Sequence, residues 1–309
     1  MKCSWRRSVL CGVLAVLTSV LPSTKASAQV RPQLLDDVQK GDLLAVKRDL
    51  PAGADVNVRD KYFGGETPLM SAASRNEAEV VQALIDAKAD VNARDDTGST
   101  ALMTAFRPEV VQVLLAAGAD VNARNNGGRT ALINGSCDQE VARMLLGAKA
   151  DVNARDNGGS TALMEASQQG CQEVVGLLLD AKADVNARDD SGVTALMRAS
   201  QFGQEAVVRA LIDARADVNA KAGGIGALVY VYGREQAVRA LRDVNAKPNG
   251  GFTALMMASA SGHAAVMRAL LGAKADVNAR AVDGATALVL ATMNAHLDVV
   301  GILKSAGAR

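Results

Sequence analysis

Asp184–Leu211 reads DVNARDDSGVTALMRASQFGQEAVVRAL, and the same sentence recurs along most of the chain. The tetrad Ala-Asp-Val-Asn begins at Ala54, Ala89, Ala119, Ala150, Ala183, Ala216 and Ala275, with a variant at Asp243-Val244-Asn245. A second marker, Thr-Ala-Leu or Thr-Pro-Leu, begins at Thr67, Thr100, Thr130, Thr161, Thr194, Thr253 and Thr286, and Gly226-Ala227-Leu228 fills the gap in that series. Successive markers stand 33, 30, 31, 33, 32, 27 and 33 residues apart. A period of this length, held this often, is the signature of a stacked repeat.

Each unit also states its own secondary structure. Thr194 offers a side-chain oxygen to the orphan N–H groups of a short helix beginning at Ala195, and Pro68 suits the first helical position of the first full unit. Gly203 interrupts that helix. Glu205 starts a second, whose apolar residues Val207, Val208, Leu211 and Ile212 fall on one face. Acids recur where the second helix begins (Glu79, Glu109, Glu140, Glu173, Glu205, Asp298), the end at which the helix dipole favours negative charge. The Ala-Asp-Val-Asn-Ala-Arg-Asp-Asp-x-Gly connection is turn-forming. Two helices and a protruding hairpin cannot bury their own apolar faces, so the units must bury one another's.

The pattern GxTALM…AS…G…EVV…LL…ADVNARD resembles the ankyrin repeat, from roughly Leu34 to the C-terminus. The resemblance implies an all-α solenoid of helix-turn-helix units with protruding β-hairpin loops. It also implies a concave groove, lined by hairpins and first helices, that holds protein partners. One departure is general. The family's His after Thr-Pro-Leu is replaced by Met70, Met103, Met164, Met197 and Met256, or by Ile133, Val229 and Val289, so a polar contact gives way to packing. The family's Gly after the second helix survives as Gly53, Gly118 and Gly307 but is Lys88, Lys149, Lys182, Arg215 or Lys274 elsewhere. Either these residues accept a positive φ at about 1 kcal/mol each, or the turn differs.

Residues 1–28 read as a secretory signal peptide. Lys2, Arg6 and Arg7 form a basic n-region, Val9 to Leu21 an apolar stretch, and Ala26-Ser27-Ala28 a cleavage site. Export to the periplasm or beyond, with cleavage after Ala28, is expected, and no membrane insertion of the mature chain. Cleavage removes four basic residues and leaves 30 bases against 33 acids, a net charge of −3. That balance argues against a nucleic-acid partner. Residues 29–309 then form the repeat domain: an N-terminal capping unit over 34–57, with Asp36, Asp37, Gln39 and Lys40 on its outer side, and about eight units. The unit over 221–245 is irregular, short and without its Thr cap, and a kink or soft interface is expected there. The units from Thr100 and Thr130 are short between their helices. The last unit, with Val299, Val300, Ile302 and Leu303, makes a poorly polar C-terminal cap. The two remaining cysteines, Cys137 and Cys171, fall near corresponding positions of adjacent units, roughly 10 Å apart by helix-packing distance, and two free thiols are expected.

Little in the sequence carries chemistry. His263 and His296 both occupy the Gly-His site that starts a second helix, where a structural hydrogen bond accounts for them. No nucleophile–base spacing, metal-ligand spacing or phosphate loop is present. A noncatalytic chain without cofactor is expected. The aromatics are more informative: beyond Trp5, all seven lie in hairpins or near the first helix, places that the ankyrin resemblance assigns to partner contact, and exposed aromatics anchor interfaces. The candidate partner-binding residues are Phe202, Phe252, Ile225, Tyr230 and Tyr232, with Gln168, Gln169, Gln201, Arg129 and Tyr62 at variable tip and groove positions, beside Ser160, Asp190 and Val193. The function expected is a monomeric protein-binding module of the cell envelope. The alternative is an immunity-like inhibitor or protector of one exported enzyme.

Overall fold

The computed structural model describes residues 32–135, 137–223 and 250–309, all within one compact unit, Pro32–Arg309. Among the described residues the chain forms helices in consecutive pairs. The capping pair is α1 (Gln33–Lys40) and α2 (Leu43–Asp49). Then follow α3 (Pro68–Ser74) with α4 (Ala78–Asp86), α5 (Ala101–Thr104) with α6 (Pro108–Ala116), and α7 (Ala131–Asn134) with α8 (Gln139–Gly147). Next come α9 (Ala162–Gln169) with α10 (Gln172–Asp180), and α11 (Ala195–Gln201) with α12 (Glu205–Asp213). The series closes with α13 (Ala254–Ser261) and α14 (Ala264–Gly272), then α15 (Ala287–Met293) and α16 (Leu297–Ser305). First helices pack on first helices of the neighbouring units and second helices on second helices. The all-α solenoid stands as expected.

The start signals work as the sequence proposes in six of the seven threonine-capped units; Thr100 makes no side-chain cap bond. Thr67, Thr130, Thr161, Thr194, Thr253 and Thr286 each accept the backbone N–H three residues on, at 3.3–3.4 Å. Behind these caps, the inner face of each second helix is buried, as in Val80, Val81 and Leu84 or Val207, Val208 and Leu211. Each such side chain contributes roughly 1.5–3 kcal/mol by leaving water. Met70, Met103, Met164, Met197 and Met256 are all buried, as packing residues should be. Lys88, Lys149, Lys182, Arg215 and Lys274 do adopt positive φ, between 62° and 70°, so each bears the left-handed strain itself. In the capping unit Asp37 is not on the outside. It is 4% exposed, takes a hydrogen bond from Gln33 at 2.8 Å and faces Arg48 at 3.6 Å, because helix α1 turns it toward α2.

Three ladders tie neighbouring units together. The Asn of each Ala-Asp-Val-Asn tetrad accepts a backbone N–H from the next unit: Asn57 from Asp90, Asn92 from Asp120, Asn122 from Asp151, Asn153 from Asp184, and Asn186 from Asp217, all at 2.8 Å. Each hairpin tip also donates to a carbonyl of the tip before it, as Asp190 does to Gly158. Arginines at the hairpin base supply the third: Arg94 reaches the Arg124 carbonyl, Arg155 that of Arg188, and Arg188 that of Lys221, at 2.6–2.8 Å.

These ladders settle which unit follows Thr194's. Asn219 accepts from Asp276 at 2.8 Å, and α11 and α12 pack on α13 and α14. The unit of Thr253 therefore stacks directly on that of Thr194. The irregular stretch 221–245 lies mostly outside the described residues, since 224–249 are not described. The residues flanking them share one ordinary hairpin. Ala222 donates to Phe252 O as Asp189 donates to Val193 O, Gly223 donates to Ser191 O, and Val282 donates to Gly250 O. Gly223 and Gly250 thus fill the adjacent slots that Asp190 and Ser191 fill one unit earlier, and a Cβ on Gly223 would lie 3.3 Å from the Gly250 Cα.

The cysteines correct the sequence reading: Cys137 and Cys171 form a disulfide, with Cα atoms 5.1 Å apart. The two residues are not equivalent in their units. Cys171 is the N-cap of α10, whereas Cys137 precedes Asp138, the N-cap of α8. In four other units the slot before the N-cap holds a glycine that faces the N-cap side chain of the next unit. A Cβ on Gly41, Gly170, Gly203 or Gly262 would run into Glu77, Gln204, His263 or His296. That offset of one residue replaces a helix-packing distance by side-chain contact.

Deleting residues 224–249, so that Gly223 joins Gly250, is expected to leave the thermal midpoint within a few degrees of the full chain and unfolding still cooperative. Scanning calorimetry of both chains decides it. A broadened or split transition would show that the Thr194–Thr253 stacking needs the deleted residues.

Candidate functional site

Hairpins and first helices line one face of the array, and its polar centre lies in the units of Thr130, Thr161 and Thr194. Arg198, in the middle of α11, is 6% exposed. Its guanidinium donates to Glu165 Oε1 at 2.9 Å on α9, to Asp189 Oδ2 at 3.1 Å and to Ser160 Oγ. Asp189 serves two purposes, since its other oxygen accepts the N–H groups of Ser191 and Val193 and holds the hairpin. Arg129 extends the network by one unit. It donates to Asn134 Oδ1 at 2.6 Å and stands 3.7 Å from Glu165 and 3.5 Å from Asp156. Two arginines and three carboxylates are thus alternated across three units. Arg198 is the buried member, and its charge is tolerated there because it is paired and hydrogen-bonded to part-buried carboxylates.

Around this centre the first helices end in exposed groups. Phe202 is 46% exposed at the C-cap of α11, and Phe106 is 45% exposed just past α5. Gln169 is exposed at the end of α9, with Gln168 and Gln201 half-buried at the equivalent place. Tyr62 and Phe63 project from the first hairpin, 59% and 53% exposed, with the Tyr62 N–H held by Asp60 at 2.9 Å. Asp190 is exposed at a hairpin tip, whereas Ser160 and Val193 are buried.

Phe252 does not belong to this surface. It is 0% exposed, because it occupies the hairpin slot that Val193 fills one unit earlier, where Ala222 replaces the turn-holding aspartate. Ile225, Tyr230 and Tyr232 lie outside the described residues. The structure therefore brings Arg129 and Ser160 into one network with Glu165, Arg198, Asp156 and Asp189, four residues that sequence reasoning passed over. Their signal was available: Glu165 and Arg198 occupy the same slot of consecutive units, opposite in charge, where Ser71, Thr104, Met257 and Leu290 are neutral.

The histidines bind across units. With His263 and His296 at the N-caps of α14 and α16, neither ring bonds its own helix. His263 Nε2 donates to Gln201 O at 3.0 Å and His296 Nε2 to Ala260 O at 3.1 Å. Among the described residues no group of three His, Cys, Asp or Glu side chains is placed to hold a metal ion, and no helix is long and apolar enough to cross a membrane.

A family model for ankyrin repeats matches residues 34–125, 106–189, 130–222 and 227–309. Among solved structures, the chain is similar to the ankyrin repeat domain of Bcl-3, described as a unique member of the IkappaB protein family. The two are 33% identical, with a TM-score of 0.53, over 61% of this chain and 88% of that one.

Truncating Arg198 strands two part-buried carboxylates, Glu165 and Asp189, a loss of about 2 kcal/mol. Urea unfolding of Arg198→Ala is expected to show that cost, and Arg198→Met in an Asp189→Asn, Glu165→Gln background considerably less. A cost near zero for Arg198→Ala would mean the network is solvated.

Proposed function

Because this chain belongs to the ankyrin-repeat family, we propose that it is an exported, monomeric, noncatalytic module that holds a protein partner against the face running from Arg129 to Phe202. Ankyrin repeats mediate protein–protein interaction. The observation that carries the reading is the exposure of Phe202, a large aromatic left 46% in solvent at the end of a helix whose middle is fixed by the Arg198 ion pairs. Aromatic anchors beside rigid, prepositioned charges are what interface hot spots are made of. Gln168, Gln169, Gln201 and Arg129 flank it as hydrogen-bonding groups, and Tyr62 adds a second aromatic contact at the first hairpin.

Export to the periplasm or the medium is part of the same proposal. It rests on the basic-apolar-small pattern of residues 1–28, and the Cys137–Cys171 bond fits an oxidising compartment. Sequencing the N-terminus of the protein from its native source is expected to begin at Gln29, and an intact Met1 would remove the proposal.

Partner capture from an envelope extract tests the face itself. Phe202→Ala is expected to weaken retention at least tenfold, about 1.4 kcal/mol, while Gln82→Ala on the exposed side of α4 leaves it unchanged. Equal loss, or no loss, in both variants places the contact elsewhere. Recovery of a single exported enzyme whose activity changes on binding would assign the immunity-like role instead.

A further inference from the structure

We propose that the Cys137–Cys171 bond is a thiol–disulfide exchange site, attacked from solvent at Cys137 Sγ, whose redox state sets how tightly the unit of Thr130 is held to that of Thr161. The two sulfurs differ in access and in what surrounds them. Cys137 is exposed in the connection between α7 and α8, with its sulfur 3.7 Å from Gln169 Oε1, whereas Cys171 is 6% exposed. Cys171 is also the N-cap of the nine-residue helix α10, and its side chain accepts no capping hydrogen bond. A thiolate released there meets the orphan N–H groups of the first turn, which favour an anion. A better leaving thiolate departs faster. Attack at Cys137 is therefore favoured on both counts, by approach and by departure.

The exchange balances without a further reactant. A thiolate of a dithiol reductant bonds to Cys137 Sγ, the Cys137–Cys171 bond breaks, and its electron pair leaves on Cys171 Sγ, which takes up a proton. The reductant's second thiol then displaces Cys137, closing the reductant's own disulfide. Two electrons pass from dithiol to cystine.

The bond takes the place that an N-cap side chain fills at the later junctions. At the later junctions a long N-cap side chain reaches back to the preceding unit: Gln204 to Gln168 O at 3.3 Å, His263 to Gln201 O and His296 to Ala260 O. Cys171 has no such reach. Helix α7 is a single turn, against eight residues in α9. Under the disulfide lies a cavity of about 10 Å³ lined by Ile133, Gly135, Val141, Glu165 and Cys171, among others. Glu165 also bonds Arg198 and faces Arg129, so loosening this junction reaches the centre of the hairpin and first-helix face.

The oxidised full-length protein supplies the test. Native exchange predicts that dithiothreitol reduces the bond at a rate independent of urea below the unfolding transition. It also predicts that trapping with reduced glutathione leaves the adduct on Cys137. After reduction, amide exchange in α7 to α10 is expected to quicken at least tenfold, while α3, α4, α13 and α14 hold their protection. The Cys137→Ser/Cys171→Ser variant should show the reduced pattern, and if it fails to fold the reduced wild type still reports. Reduction only when the chain unfolds, an adduct on Cys171, or unchanged exchange in α7 to α10 would each overturn the proposal.

Discussion

The amide of Asn57 accepting the backbone N–H of Asp90 is the smallest statement of what this protein depends on. No unit has a core of its own, so a unit exists only in register with the next. Apolar burial supplies most of the energy but little of the register, since a Val-Val-x-x-Leu face slides against another at modest cost. The Asn ladder, the hairpin-tip ladder and the arginine ladder each demand one alignment. Because all three act at the same junctions, they agree only when consecutive tetrads face each other.

That agreement explains why the period was legible and one junction was not. The Thr caps, the acids opening the second helices and the buried Val pairs are local signals, and each does locally what its residue type dictates. Which tetrad follows which is a pairing question. Asn219 is followed in sequence by Asn245 but in the stack by the tetrad of Asp276, and spacing along the chain cannot distinguish these. Phe252 was misread for the same reason. Its place is defined by Ala222, across residues that separate them widely in sequence. The cysteines failed by one residue: a position before an N-cap touches the next unit's N-cap, while equivalent positions do not.

The hairpin and first-helix face shows how function is written over a repeat. The consensus makes units interchangeable, so information lies where a unit departs from it. Glu165 and Arg198 place opposite charges in a slot that is otherwise neutral, and their pairing at 2.9 Å fixes both side chains before any partner arrives. Ordering such chains costs up to roughly 1.5 kcal/mol each at an interface, a cost met here during folding. Phe202 contributes area with few rotatable bonds, so the face is stiff both at its centre and at its edge.

Departure from the consensus also weakens what it marks. The units of Thr100 and Thr130 have first helices of one turn, α5 and α7, and in a linear array stability is a sum over junctions, so the thinnest interface opens first. The α5–α7 junction keeps its ladders, with Arg94 on the Arg124 carbonyl and Asn126 on that of Thr97. The α7–α9 junction keeps the same ladders and adds a covalent bond. A cross-link in such an array restrains only the two units it joins. Its position at the edge of the Arg129–Glu165–Arg198 network therefore matters more than the length of chain it closes: it holds still one of the two interfaces across which the charged centre of the face is assembled.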